Sequence, residues 1–212
     1  MPAAHQNETA SGVKPVVTIF EAFGAGATTI GRKVAEELGL PFHPQAFSSE
    51  LVAGGVTDAA TDDQAVLARV FSVLGGAYGG LESRDIIATQ QAKFDLITEN
   101  NQTVWRFADE GGVIVGRNGA VILANRPNTV HVLLTGGVED RVARAAGELG
   151  ISVEQAAARR AREEDIRVQM SKTLYGWDPS RPDHYDMVIN TTRITHDAAA
   201  NAIVDAVRLQ AA

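Results

Sequence analysis

Residues 16 to 29 read Val-Val-Thr-Ile-Phe-Glu-Ala-Phe-Gly-Ala-Gly-Ala-Thr-Thr, and no other segment narrows the fold as much. A short apolar run, a glycine turn and a helix start, in that order, describe the phosphate-binding loop of a P-loop fold. Glycines let backbone N–H groups turn inward around an anion, and the helix N-terminus adds partial positive charge. The match to G-x-x-x-x-G-K-[ST] is partial. Glu21 stands at the first glycine and Ala27 at the lysine, whereas Gly26 and Thr28 fit. If the loop holds a nucleotide, Gly24-Ala25-Gly26-Ala27-Thr28-Thr29 is the ATP segment. The N–H groups of Ala25 to Thr28 then cradle phosphates, and the Thr28 hydroxyl ligates Mg²⁺. A plain tight strand-to-helix turn would use the same residues. Glu21 either faces the nucleotide or closes the turn.

The remaining pattern alternates strands and helices. Ile30, Val34 and Leu38 recur at helical spacing before Gly39 and Pro41, which predicts a helix over about 28–38. Val113-Ile114-Val115 is an all-apolar strand of the kind buried on both faces of a parallel sheet. Thr129 to Leu134 and Tyr185 to Asn190 read as further strands. Val138, Val142, Ala145 and Leu149 define an amphipathic helix closed by Gly150. Ser152-Val153-Glu154-Gln155 is a capping box for the next helix, and Ile203, Val204 and Val207 mark the last. The fold class expected is α/β: a P-loop-type, doubly wound parallel sheet of about five strands.

Residues 45–101 read as a helical insertion. Thr61-Asp62-Asp63-Gln64 resembles a capping box, and a glycine cluster at 75–80 forms a hinge or a loop. One helix is expected from about Ser83 to Thr98, with Ile86, Ile87, Gln90, Phe94 and Ile97 on one side. A shorter one should carry Val104, Phe107 and Ala108. Ser48, Ser49, Arg84 and Asp85 are the polar candidates of the insertion. Residues 1–14 form a disordered tail, and 15–212 one domain.

Composition removes several function classes. There is no cysteine, which excludes disulfides and thiolate metal sites. His43, His131 and His184 lack metal spacing. A net charge of −7 argues against a nucleic-acid partner. No apolar run is long enough for a membrane, and with the missing cysteines this points to the cytoplasm. Arginines nevertheless gather in the second half of the chain. Arg117 follows the Val113–Val115 strand, at the edge where α/β folds bind ligands, and can hold an anionic substrate. Arg159, Arg160, Arg162 and Arg167, with Asp165, lie on one predicted helix within 152–180. Such a helix can act as a lid that closes over a transferring phosphoryl group. Glu163 and Glu164 also allow a salt-bridged surface helix.

In order and spacing these features resemble the cytidylate kinase-like family. Glu21-Ala22-Phe23-Gly24-Ala25-Gly26-Ala27 resembles its lysine-free loop. Val113 to Arg117 is similar to its V-I-V-G-R segment, and Arg159 to Arg167 to its charged lid. Trp177-Asp178 and Tyr185 to Thr191 resemble its W-x-D and Y-D…N-T segments. Phe42-His43-Pro44-Gln45 departs from it, lacking an Asp after the aromatic residue. The resemblance implies transfer of a phosphoryl group from ATP, with Mg²⁺, to a nucleoside monophosphate, CMP or dCMP. Arg117 would hold the acceptor phosphate. Arg160, Arg162 and Arg167 would neutralise the transferring group, with Asp165 orienting an arginine or the acceptor. The insertion would form the acceptor lobe. A nucleotide sensor without catalysis, or a kinase for another metabolite, are the alternatives.

Overall fold

The computed structural model describes residues 12–46, 68–70, 73–74 and 86–210. In chain order these form β1 (Val16–Glu21), α1 (Ala27–Leu38), β2 (Phe42–His43), α2 (Ile86–Glu110), β3 (Gly112–Val115) and α3 (Gly119–Ile122). There follow β4 (Thr129–Thr135), α4 (Val138–Leu149), α5 (Val153–Tyr175), a 3₁₀ turn at Pro182–His184, β5 (Met187–Asn190) and α6 (His196–Gln210). The five strands make one parallel sheet in the order β2-β3-β1-β4-β5. From β1 the chain runs out toward β2 at one edge, and from β4 toward β5 at the other. Adjacent strands whose connections part in this way open a crevice at their carboxyl ends.

The pleat sorts the core into two layers. Val17 and Ile19 of β1, Val113 and Val115 of β3, and Val130, Val132 and Leu134 of β4 pack against Ile30 and Val34 of α1 and Ile203, Val204 and Val207 of α6. Their alternates Val16 and Ile114 face the other way, onto Val104 and Ala108 of α2 and Leu123. Because side chains alternate along a strand, an unbroken apolar run supplies both layers. Thr18, on the second face, is satisfied by the His131 ring, 2.7 Å from Oγ1 to Nδ1.

Several helix ends follow directly from sequence. The chain leaves α1 through Gly39 at φ 63°, whose N–H reaches back into the last turn. Gly150 and Gly176 end α4 and α5 in the same left-handed conformation. Ser152 and Gln155 form the reciprocal capping box at the start of α5.

Other expectations need correction. The two helices expected over 83–110 are one helix, α2, within the described residues. Its polar stretch Thr98-Glu99-Asn100-Asn101-Gln102-Thr103 contains no glycine or proline, so nothing interrupts the backbone ladder. Phe94, expected on the apolar side, is 64% exposed. The last strand starts at Met187 rather than Tyr185. Of the residues placed in the expected tail, Val13 and Lys14 are tied to the domain: Asn128 donates to the Val13 carbonyl and Arg126 to that of Lys14. Thr61–Gln64, the glycine cluster at 75–80, and Ser48, Ser49, Arg84 and Asp85 lie outside the described residues.

Candidate active site

The turn from β1 into α1 places two glycines in left-handed conformations, Gly24 at φ 75° and Gly26 at φ 90°. Neither tolerates a side chain. A Cβ on Gly24 would stand 2.4 Å from the Arg141 carbonyl oxygen, and one on Gly26 2.6 Å from the His196 ring. The turn is therefore pressed between α4 and the start of α6. Arg141 of α4 is 4% exposed and donates to the carbonyls of Phe23 (2.5 Å) and Gly136 (3.0 Å). Arg144 donates to the Gly24 carbonyl at 3.0 Å and to Thr191. Two guanidinium groups thus hold the loop's carbonyl side. Its amide side stays turned to the crevice.

Glu21 occupies that amide side. Its Oε2 accepts from the Ala27 N–H at 2.9 Å, and the Gly26 amide also stabilises the carboxylate. Its Oε1 accepts from Gln45 Nε2 at 3.1 Å, and Gln45 Oε1 in turn accepts from Arg167 at 3.1 Å. Burial pushes the Glu21 carboxyl above the usual carboxylate range, against the opposing pull of Arg167 and the two amides. Of its two sequence readings, the geometry has Glu21 closing the turn, with its carboxyl group at the N-terminus of α1.

Helix α5 docks on this loop through one face. Residues 160, 163, 164 and 167 recur at helical spacing and point the same way. Glu164 accepts from the Phe23 N–H (3.1 Å), Arg141 (2.9 Å) and Arg160 (2.6 Å). Glu163, with no exposed surface, is bridged by Arg159 (2.8 Å) and Arg167 (2.9 Å). Arg160 and Arg167 are therefore brought to the loop. Arg162 and Asp165 are exposed and lie round the helix from that face.

A second turn leaves the neighbouring strand β3. Gly116, Arg117 and Asn118 all have positive φ, at 71°, 55° and 56°. Arg117 donates to the Pro44 carbonyl at 3.3 Å, and its guanidinium lies 5.5 Å from the centre of the Phe107 ring. His43 stacks on the same ring at 3.7 Å. Asn118 Oδ1 accepts from Ser171 (2.7 Å) and from the Trp177 indole (2.9 Å), so Trp177 is a packing residue with a polar anchor. Asn100 of α2 clamps the Arg117 carbonyl and the Tyr175 hydroxyl, each at 2.8 Å. Between the two turns, α2 and α5 lies a cavity of about 270 Å³, bordered by Glu21, Gln45, Asn100, Arg117, Arg167 and Tyr175.

Of the sequence candidates, Arg117 and Arg167 border this cavity; Gly24 to Ala27 form the turn beside it, joined to it through Glu21, and Arg160 reaches that turn through Glu164. Thr28 and Thr29 sit exposed on the first turn of α1. Sequence reasoning passed over Arg141, Arg144, Gln45 and His196. Arg141 was hidden because it falls among Val138, Val142 and Ala145, where periodicity predicts a core residue. Burial, then Arg144, lowers the His196 pKa and favours a neutral ring against Gly26.

A parallel sheet with this glycine turn at its central strand is a kinase-like nucleotide-binding fold. The chain belongs to the cytidylate kinase-like family, whose model matches residues 16–193. It is 31% identical over 129 residues to a uronate isomerase from Corynebacterium glutamicum, covering 60% of this chain but only 25% of that protein. A cytidylate kinase from Methanopyrus kandleri is 27% identical over 194 residues, 87% of this chain and 89% of that one. Among solved structures, an uncharacterized protein from Eubacterium ventriosum superposes with a TM-score of 0.64 at 17% identity, over 92% of this chain and 99% of that one. No described helix is long and apolar enough to cross a membrane.

Proposed function

We propose that this chain transfers the γ-phosphoryl group of ATP to a small acceptor bound in the cavity beside Glu21. One observation carries the reading. The amide side of the Gly24–Ala27 turn already holds a carboxyl oxygen, that of Glu21, 2.9 Å from the Ala27 nitrogen. The loop thus fits an anion without the usual lysine. A phosphate arriving there gains the same donors and the positive end of α1.

The charge that a lysine would supply is available from α5. Arg160 and Arg167 stand within hydrogen-bonding reach of groups that line the loop. Phosphoryl transfer depends chiefly on positioning and charge stabilisation, so guanidinium groups suit the task. Arg162 and Asp165, exposed on another side of α5, would neutralise the transferring group and orient an arginine or the acceptor only if the helix moves. Residues 152–180 form the lid, and 45–101 the acceptor lobe, of which Leu96, Glu99 and Asn100 border the cavity. Among the described residues there is no group of three or more His, Cys, Asp or Glu that could hold a metal. The exposed Thr28 hydroxyl, with phosphate oxygens, is the ligand set that would hold Mg²⁺. When bound, Mg²⁺ neutralises charge on the β- and γ-phosphates.

The cytidylate kinase from Methanopyrus kandleri makes CMP and dCMP the first acceptors to try, with Arg117 toward the acceptor phosphate. The cytoplasm is the setting this reading implies. The test is ADP release from Mg-ATP against a panel of nucleoside monophosphates and metabolites, with products identified by mass. ADP that depends on one acceptor supports the reading. Ala27 at the lysine position and Glu21 on the amides favour a second reading, a nucleotide sensor. It expects ATP to raise the melting temperature with no ADP released.

A further inference from the structure

We propose that Asn118 is a positioning residue for phosphoryl transfer: its side-chain oxygen pins the far end of α5 to the turn after β3 and so holds Arg167 at the cavity. The proposal rests on the phosphotransfer reading and adds to it a residue that acts through a helix. Asn118 stands at the N-cap of α3, where an asparagine ordinarily accepts from a backbone N–H of the first turn, yet its side chain makes no such bond. It reaches across to α5 instead. Its Oδ1 accepts from the Ser171 hydroxyl at 2.7 Å and from the Trp177 indole at 2.9 Å. An indole N–H can only donate, so the oxygen of the Asn118 amide must face it. Both donors belong to buried residues. Asn118 keeps this place at φ 56°, directly after Arg117 at 55°. Two successive left-handed residues that are not glycine mark a turn kept for its side chains.

Helix α5 is a rod pinned at two points. Glu164 ties it to the phosphate turn through the Phe23 N–H and Arg141. Ser171 lies two turns, about 10 Å, further along the same face, and Arg167 sits between the two. A helix held at one point can still turn about its axis, and a slip of one residue rotates it by about 100°. With both points held, Arg167 Nη2 donates to Gln45 and Glu163, while its Nη1 is buried without a hydrogen-bond partner among the described residues. A guanidinium nitrogen left open at the cavity suits an incoming phosphate oxygen.

The segment after α5 serves the second pin. Gly176 ends the helix at φ 70°, and Trp177 turns back toward Asn118. Asp178 then pairs with Lys172 of the last turn at 2.9 Å and accepts from Ser180. The Trp177-Asp178 pair of the sequence thus closes the end of α5 against the acceptor side. Ser171 makes the pin separable from the fold. Its hydroxyl has one hydrogen and a second acceptor in reach, the Arg167 carbonyl at 3.0 Å. Without Asn118 the hydroxyl can turn back to its own helix, whereas the indole loses its acceptor. Asn118→Gly therefore removes the pin and relieves left-handed strain at once. Asn118→Asp keeps an oxygen acceptor in a residue that tolerates the same backbone.

The chain has two tryptophans, so the Trp177 indole N–H is one of two such resonances, assigned with Trp177→Phe. Its hydrogen exchange is measured in the full chain and in Asn118→Gly and Asn118→Asp. Alongside it are measured ATP affinity by calorimetry, melting temperature, and kcat and KM for ADP release from Mg-ATP with CMP, dCMP and the other nucleoside monophosphates. Expected are a protected indole proton in the wild type and in Asn118→Asp and its loss of protection in Asn118→Gly. The glycine variant should lose about 10-fold or more in kcat, with the aspartate variant within about threefold of the wild type. Acceptor KM, ATP affinity and melting temperature should hold in both. An indole as unprotected in the wild type as in Asn118→Gly overturns the pin. A kcat that survives loss of the indole bond overturns the positioning role, and so does an effect on KM alone. A kcat loss matched by lost ATP affinity and a lowered melting temperature also overturns it, because a merely structural residue behaves that way. In each of these cases phosphotransfer stands. No ADP from any acceptor overturns both.

Discussion

Two turns leave adjacent strands at the same sheet edge and solve the same backbone problem differently. After β1, the left-handed positions are filled by glycines, Gly24 and Gly26. After β3, only Gly116 is glycine, and Arg117 and Asn118 are forced to φ 55° and 56°. Glycine takes that conformation at almost no steric cost, whereas other residues pay roughly 1 kcal/mol or more. The first turn offers backbone amides and has its surfaces crowded by Arg141 and His196. The second keeps side chains that glycine would lack: Arg117 over Phe107, and Asn118 under Ser171 and Trp177. One turn is shaped for close approach to its backbone. The other stores strain to aim side chains at the cavity.

The largest effect that could break this contrast is at Gly24. In Gly24→Ala the new methyl meets the Arg141 carbonyl, a backbone atom, at a φ that alanine avoids. We expect a loss of about 2–4 kcal/mol, from left-handed strain plus overpacking, and no ATP-induced rise in melting temperature. A variant that melts like the wild type and still binds ATP would mean that the turn is not held as described.

Next is Arg141. Its side chain joins Phe23 and Gly136 carbonyls to Glu164, and it is almost fully buried. Arg141→Met keeps the volume but leaves the Phe23 carbonyl and Glu164 without that donor. Breaking one side of a buried pair costs about 3 kcal/mol, read by denaturant unfolding. Loss of nucleotide response should accompany it, since α5 is tied to the loop through Glu164. Arg144→Ala, on the half-buried Gly24 carbonyl, should cost less.

The glycine turn was legible because an apolar run and two glycines are local signals that need no tertiary knowledge. The capping box of α5 and the stop at Gly150 were legible for the same reason. What escaped is non-local. β2 is two residues long and exists because β3 pairs with it. Arg141 sits in an apolar stripe, and only the loop across from it explains a charge there. His196 carries no sequence mark at all; its role is set by the bare face of Gly26. Among the α5 charges, composition showed the cluster but not its orientation. Four arginines on one helix cannot all face one loop, and the backbone phase selects Arg160 and Arg167 over Arg162.

That phase gives a third test, smaller in free energy for folding but sharp for function. Arg167→Ala should lower kcat by about 10²–10³-fold with a modest change in ATP affinity, as expected for charge stabilisation in the transition state. Arg162→Ala, on the exposed side, should lie within a factor of about three of the wild type, in line with a surface substitution of roughly half a kcal/mol. Equal effects at the two positions would show that the lid closes by rotating its other face to the loop.

The smallest effect on stability is expected at Arg117, and it sharpens the comparison most. Arg117→Gly removes left-handed strain of about 1 kcal/mol. It also forfeits the guanidinium over Phe107, worth roughly 0.5–1 kcal/mol, and loosens the unfolded chain by a similar amount. These nearly cancel, so the melting temperature should stay within about 3 °C of the wild type. The acceptor KM should nevertheless rise several-fold, with ATP affinity unchanged, because Arg117 borders the cavity and not the phosphate turn. A drop in stability comparable to Gly24→Ala would place Arg117 among the residues that hold the fold together. An unchanged KM would remove it from the acceptor site. The expected pair, stability kept and acceptor binding weakened, is the signature of a strained residue retained for what its side chain does.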